Sequence, residues 1–303
     1  MTIGNRILVT GARGFLGSHI VVRARANGCD VVATYRGASG GDAIPLDVCD
    51  ATSVEEAFRA VLPSLVIHCA SYGVNYADQD PDLALTVNVH GALYVLTAAA
   101  RYGVIRFLHV GSCFEYGSQR GRIPEEAPLN PTAIYGATKA AATLLMRQRA
   151  RDLGVPLIIA RPFGMWGPGE PTYRLIPQVV MACINRLPLK LTCCDVLRDY
   201  SYVEDVADSI VALALASEIG GGTIVNIGSG RSIILRDLVL SVARFLGGET
   251  LMHFGELESR PTEMASLVAD VQRLRNTLGD RHETPLSQGI QRMITQLVPA
   301  HGG

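Results

Sequence analysis

The sequence predicts an α/β fold, a doubly wound parallel sheet with a smaller C-terminal lobe, and three observations predict it. An apolar run, Ile7-Leu8-Val9, leads into Gly11, Gly14 and Gly17 at three-residue spacing, then into Phe15, Leu16, Ile20, Val21 and Val22 at helical spacing. Short apolar runs then alternate with helical patterns, which calls for βαβ units. A loop, Gly111-Ser112-Cys113-Phe114-Glu115-Tyr116-Gly117, leaves the carboxyl end of one such run, where open parallel sheets bind ligands.

The first unit is a phosphate-binding device. Gly11 permits the tight turn, Gly14 lets the backbone approach a pyrophosphate, and Gly17 lets the helix pack closely on the strand. Free N–H groups and the positive dipole end at the helix start attract phosphate. Residues 30–35 form the second strand after a turn at Asn27-Gly28. In dinucleotide folds an acid at that strand's end binds the adenosine ribose, and an arginine accommodates a 2′-phosphate. Here the strand ends in Thr34-Tyr35-Arg36, without an acid. That favours NADP(H), with NAD(H) as the alternative.

Pro45-Leu46-Asp47-Val48 precedes a helix at 52–61. Leu65 to His68 is a buried strand, followed by Cys69-Ala70-Ser71. A long helical pattern runs from Asp82 to Arg101, and a strand follows at 105–110. Beyond the Ser112 loop, Tyr135-Gly136-Ala137-Thr138-Lys139 opens a helix that ends near Leu153. Tyr135 and Lys139 lie on one face of it. The ammonium there is expected to lower the pKa of the phenol and to hold a cofactor hydroxyl. The tyrosine would exchange protons with a substrate oxygen, and Ser112 would add a hydrogen bond to the same oxygen.

Composition narrows the function classes. The 303 residues suffice for one large or two modest domains, and 48% apolar with 18% charged residues is ordinary for a soluble globular protein. A net charge of −1 argues against a nucleic-acid or membrane surface. No stretch reads as a membrane span, and residues 1–10 lack the pattern of a signal peptide. Seven scattered cysteines fit reduced thiols better than disulfides or a metal site, so the cytoplasm is the expected location.

Together these pieces resemble the extended short-chain dehydrogenase/reductases, in their nucleotide-sugar epimerase/dehydratase/reductase branch. The resemblance rests on Thr10-Gly-x-x-Gly-Phe-Leu-Gly17, Ser112 four residues before Tyr116-Gly117, and Tyr135-x-x-x-Lys139. It continues in Arg161-Pro162-Phe163, Trp166-Gly167-Pro168-Gly169, the run from Arg198 to Ala207, Asn226-Ile227-Gly228, Arg260-Pro261-Thr262-Glu263 and Ala269-Asp270. It implies a Rossmann domain at 1–165, completed by 199–228, and a substrate-binding lobe from 166–198 and 229–303. It implies Tyr135 as acid/base, Lys139 as its partner and Ser112 as the orienting hydroxyl. Gly11, Arg13, Gly14, Phe15, Leu16, Gly17, Arg36, Asp47, Val48, Ala70, Tyr135, Lys139 and Pro162 would line the cofactor. Ser112, Cys113, Arg198 and Arg260 would meet the substrate, the arginines holding its diphosphate. A homodimer built on helices 82–101 and 135–153 is also implied.

The departures refine this. Dehydratases of the branch carry Asp-Glu after the catalytic Ser/Thr, where this chain has Cys113 and Phe114. Cys113 reads as structural or substrate-contacting rather than as an acid/base thiol. Glu115 reads as a solvated or hydrogen-bonded loop carboxylate. The segment from Gly169 to Pro177 is similar to the one in NDP-4-keto-6-deoxysugar reductases. The leading expectation is therefore an NADPH-dependent reductase of a nucleotide-linked 4-keto-6-deoxysugar. An NAD-dependent 4-epimerase is the alternative, and a dinucleotide-sensing protein without chemistry the remote one.

Overall fold

The computed structural model describes residues 6–37, 43–78, 80–217 and 219–297. Residues 1–5 and 298–303, the outer limits of the expected domains, lie outside the described residues. Seven parallel strands form the central sheet. They are β1 (Arg6–Thr10), β2 (Asp30–Tyr35), β3 (Ile44–Pro45), β4 (Leu65–His68), β5 (Arg106–Val110), β6 (Leu157–Pro162) and β11 (Thr223–Ile227), in the order β3-β2-β1-β4-β5-β6-β11. The strands are largely apolar in their interiors because helices cover both faces, and β4 is buried at all four residues. The order reverses between β1 and β4, the crevice where such sheets take ligands.

On one face lie α1 (Phe15–Ala26) and α7 (Val203–Leu215), packed on each other. On the other lie α2 (Ala51–Val61), the helical run 81–101 and α5 (Ile134–Leu153). That run is not the single regular helix its periodicity suggests. It comprises α3 (Pro81–Leu85), a π-helical turn at Thr86–Gly91 and α4 (Ala92–Arg101). Asn88 sits in the π turn. It accepts from Tyr72 N at 2.8 Å and donates to Tyr72 O and Thr138 Oγ1, both at 2.9 Å. Satisfying those three buried groups matters more here than regular winding. The run is also long and apolar enough to cross a membrane, contrary to the sequence reading. Its apolar side is core: Val95, Leu96 and Ala99 are fully buried against β-strand residues such as Val66 and Phe107.

A third cluster, separate from the sheet's two, holds the C-terminal lobe. Trp166, Ile176, Val179, Val239, Val242 and Ile290 join α6 (Leu175–Asn185), α8 (Leu235–Phe245) and α10 (Leu286–Leu297). Within 199–228 only β11 enters the main sheet, while β10 (Tyr200–Tyr202) pairs with β7 (Gly164–Trp166) as a separate parallel ribbon.

Candidate active site

A cavity of about 550 Å³ opens at the reversal point, running from the glycine turn to the lobe. The glycines are explained by space. A Cβ on Gly11 (φ +66°) would meet Ala70 N at 2.7 Å, and one on Gly17 would meet Gly11 O at 2.2 Å. Gly14 begins α1 with no side-chain cap and no acid in the first turn, so the helix end stays fit for an anion. These features match a dinucleotide pyrophosphate.

Gly11, Gly14, Phe15, Leu16, Gly17, Arg36, Asp47, Val48, Ala70, Ser112, Cys113, Tyr135, Pro162 and Arg198 all line this cavity. Arg13 stands just outside it, its guanidinium 3.8 Å from the centroid of the Tyr35 ring, which does line it. Asp47 turns its carboxylate to Cys49 N at 2.9 Å, holding the loop after β3.

Two expectations are corrected. The first concerns the effect of Lys139 on Tyr135: the Lys139 ammonium donates to Val110 O at 2.5 Å, and the phenol one helical turn before it is not acidified. Burial pushes the Tyr135 phenol up to about 12, opposed by a hydrogen bond from Ser112, so the phenol is protonated at neutral pH rather than acidified. Lys139 itself is pushed down to about 8 by burial, with Glu115 and Cys69 opposing. The second concerns Arg260, which is exposed, lies outside the cavity and stacks 4.6 Å from the Tyr76 ring centroid. Of the two forms expected for Glu115, solvated or hydrogen-bonded, the structure shows the hydrogen-bonded one, fully buried.

Burial also pushes the Cys113 thiol up to about 12, so no thiolate forms there near neutrality. Arg198 donates to Met264 O at 2.7 Å and lies 3.7 Å from Glu263, with its guanidinium mostly buried. Cavity residues that sequence reasoning did not assign include Phe114, Tyr173, Arg174 and Met165. Arg174 is held 3.2 Å from the buried Glu170, whose carboxyl burial raises to about 7. An arginine just before the apolar start of α6 was the available signal.

Behind the Ser112 loop stands a buried ion pair. Glu115 Oε1 accepts from Ser112 N at 2.8 Å, and Oε2 accepts from Arg161 Nε at 2.9 Å and lies 2.7 Å from its second nitrogen. Two opposite charges in otherwise apolar segments could have suggested the pair, but their 46-residue separation gave no hint of contact.

The comparisons agree with this geometry. Residues 7–228 match the model of the NAD dependent epimerase/dehydratase family. A dTDP-glucose 4,6-dehydratase of Mycobacterium tuberculosis is 33% identical over 71% of this chain and 70% of its own. A probable dTDP-glucose 4,6-dehydratase of Sinorhizobium fredii is 27% identical over 95% of this chain and 91% of its own. The crystal structure of Thermus thermophilus UDP-glucose 4-epimerase in complex with NAD superposes with a TM-score of 0.84 at 27% identity, covering 97% of this chain and 99% of that one. The family match spans the glycine turn, the Ser112 loop, the Tyr135–Lys139 helix and the last sheet strand, and on that breadth the chain belongs to the NAD dependent epimerase/dehydratase family.

Proposed function

We propose that this protein exchanges hydride at C4 of a nucleotide-diphosphate sugar, as a 4-epimerase. The supporting observation is that Ser112 and Tyr135 line one wall of the same cavity, next to Cys113 and Phe114. Reversible oxidation at one carbon needs one acid/base and one orienting hydroxyl. The 4,6-dehydration performed by relatives needs further carboxyls, and a thiol held near 12 and a phenyl ring do not supply them. The expected 4-keto-6-deoxysugar reductase is the second reading, because the relatives compared are dehydratases and epimerases by name. Its support is the cationic rim of Arg13 and Arg36 beside Tyr35, with no acid, which suits the 2′-phosphate of NADP.

A nicotinamide cofactor would take the hydride from C4 and return it to the opposite face. Gly11, Gly14 and Gly17 would hold its pyrophosphate, Asp47, Val48 and Arg36 its adenosine end, and Lys139 its ribose. Tyr135 would pass the proton to and from the sugar oxygen while Ser112 fixes that oxygen. Arg198 and Arg174 would take the diphosphate, with the C-terminal lobe around the sugar nucleotide. We also propose a homodimer through α4 and α5, whose outer faces expose Tyr94, Leu144 and Leu145, and a cytoplasmic location suited to seven free cysteines. Light scattering giving a monomer at micromolar concentration would overturn the dimer.

The deciding experiment incubates the protein with UDP-, dTDP-, CDP- and GDP-linked hexoses and 4-keto-6-deoxyhexoses plus NAD(H) or NADP(H). Sugar inversion by NMR with no net cofactor consumption supports the epimerase. Stoichiometric NADPH oxidation by a keto sugar instead establishes the reductase.

A further inference from the structure

The Ser112 loop is a tight 3-10 turn over Cys113–Glu115 that closes on itself, with Ser112 Oγ accepting from Phe114 N at 3.2 Å and Glu115 reaching back to Ser112 N. Arg161, next to the cavity residue Pro162, clamps the other carboxylate oxygen from β6. Its guanidinium stacks 4.5 Å from the Tyr116 ring, and Tyr116 OH donates to Asn226 Oδ1 at 2.8 Å on β11. A Cβ on Gly111 would fall 2.5 Å from Glu115 Oε1, so the backbone is shaped to admit this carboxylate. Lys139 Nζ donates to Val110 O, one residue before Gly111, so its ammonium and the Glu115 carboxylate flank the same end of β5; the titratable groups around Lys139 are Cys69 and His68 at the end of β4, His109 on β5 and Glu115, with Tyr135 one turn earlier on its own helix. Burial pushes both histidines down and the Cys69 thiol up, leaving all three neutral. Glu115 is thus the one anion among them.

We infer that Glu115 is a positioning residue of the active site: clamped by Arg161, it fixes the backbone that presents Ser112, and its carboxylate is the internal counter-charge of Lys139. This rests on the reading of Ser112, Tyr135 and Lys139 as the reacting group. The pair is a poor choice for stability alone, since burying two charges is costly and apolar replacements of similar volume are often at least as stable.

The chain has two lysines, Lys139 and Lys190, so lysine ε-carbon NMR reads Lys139 directly once K190R has assigned the other signal. In the wild type burial should place the Lys139 midpoint at about 8. In E115Q, and in the neutral pair E115Q/R161Q, the midpoint falls by roughly half a pH unit or more. The double variant keeps an amide acceptor for Ser112 N and removes the unpaired Arg161, so it regains thermal stability lost in E115Q without restoring the Lys139 titration. An unchanged midpoint in the double variant would overturn the counter-charge role, whatever sugar the protein uses. In turnover, the kcat losses of S112A and E115Q should be strongly non-additive in S112A/E115Q, because Glu115 acts through Ser112. Additive losses would overturn the positioning role. A wild type inactive on every sugar nucleotide would instead sink the proposed function while the NMR result still decides the electrostatics.

Discussion

The two ends of the cavity are built differently. At the reaction end Ser112 is 4% exposed, Lys139 2%, and Glu115 and Arg161 at most 1%, with Lys139 bonded to β5 and Glu115 tying Ser112 to Arg161 on β6. At the adenosine end Arg13 and Arg36 are exposed, and Arg13 stacks on Tyr35. Chemistry demands placement within a fraction of an ångström, which buried, mutually satisfied groups provide. Recognition of a phosphate needs charge at the right distance, which a solvated arginine gives cheaply but weakly. Changes at the first end should therefore cost rate, and changes at the second should cost preference.

The largest effect belongs to Tyr135→Phe. It should lower kcat by roughly 100-fold or more, the scale for losing a positioned acid, and leave cofactor affinity close to wild type. Steady-state kinetics with fluorescence titration of the reduced cofactor measures both. Retention of most of kcat would mean that the buried end is not the reaction end.

Arg198→Ala comes next. Loss of one charge-assisted bond of about 1.5–3 kcal/mol should raise KM for the sugar nucleotide by about tenfold or more at nearly constant kcat. A fall in kcat with KM unchanged would move Arg198 from binding to chemistry.

The pH profile sharpens the contrast further. Lys139 is charged below about 8 and neutral above it, so kcat/KM should hold at neutral pH and decline as pH rises through that value. An arginine cation does not titrate in this range, so a NADPH/NADH preference carried by one should stay flat while the rate falls. A preference that declines in parallel with the rate would tie both ends to one group.

Arg36→Ala should shift the NADPH/NADH ratio of kcat/KM by only several-fold, and added salt should erase most of that difference, because the side chain is solvent-exposed. A salt-insensitive loss would mean that the rim is more enclosed than its exposure indicates. Arg260→Ala should be the smallest of all, with KM within about twofold of wild type, as expected of an exposed side chain away from the cavity. A tenfold rise would restore it as a diphosphate ligand and require the Arg260 loop to move on binding.

Much of this molecule was legible in its residues because the relevant signals are local. Ile7 to Gly17 encode strand, turn and helix within a dozen positions, and the cost of a Cβ at Gly11 or Gly17 arises from neighbours that the motif itself supplies or that directly follow β4. The spacing of Tyr135 and Lys139 fixed their shared helix face, and the apolar runs fixed a parallel sheet. Contacts between distant segments decided the rest. Whether Arg198 or Arg260 reaches the cavity depends on how the lobe folds over the sheet, and the two motifs look alike along the chain. The direction of the Lys139 ammonium was set by the Val110 carbonyl on another element, and the protonation of Tyr135 by burial that periodicity does not reveal. Glu115 shows the limit most sharply. Its neighbours left open a solvated or a hydrogen-bonded loop carboxylate, and a cation 46 residues away makes the buried one tenable, because a charge survives inside a protein only where the fold brings it a partner.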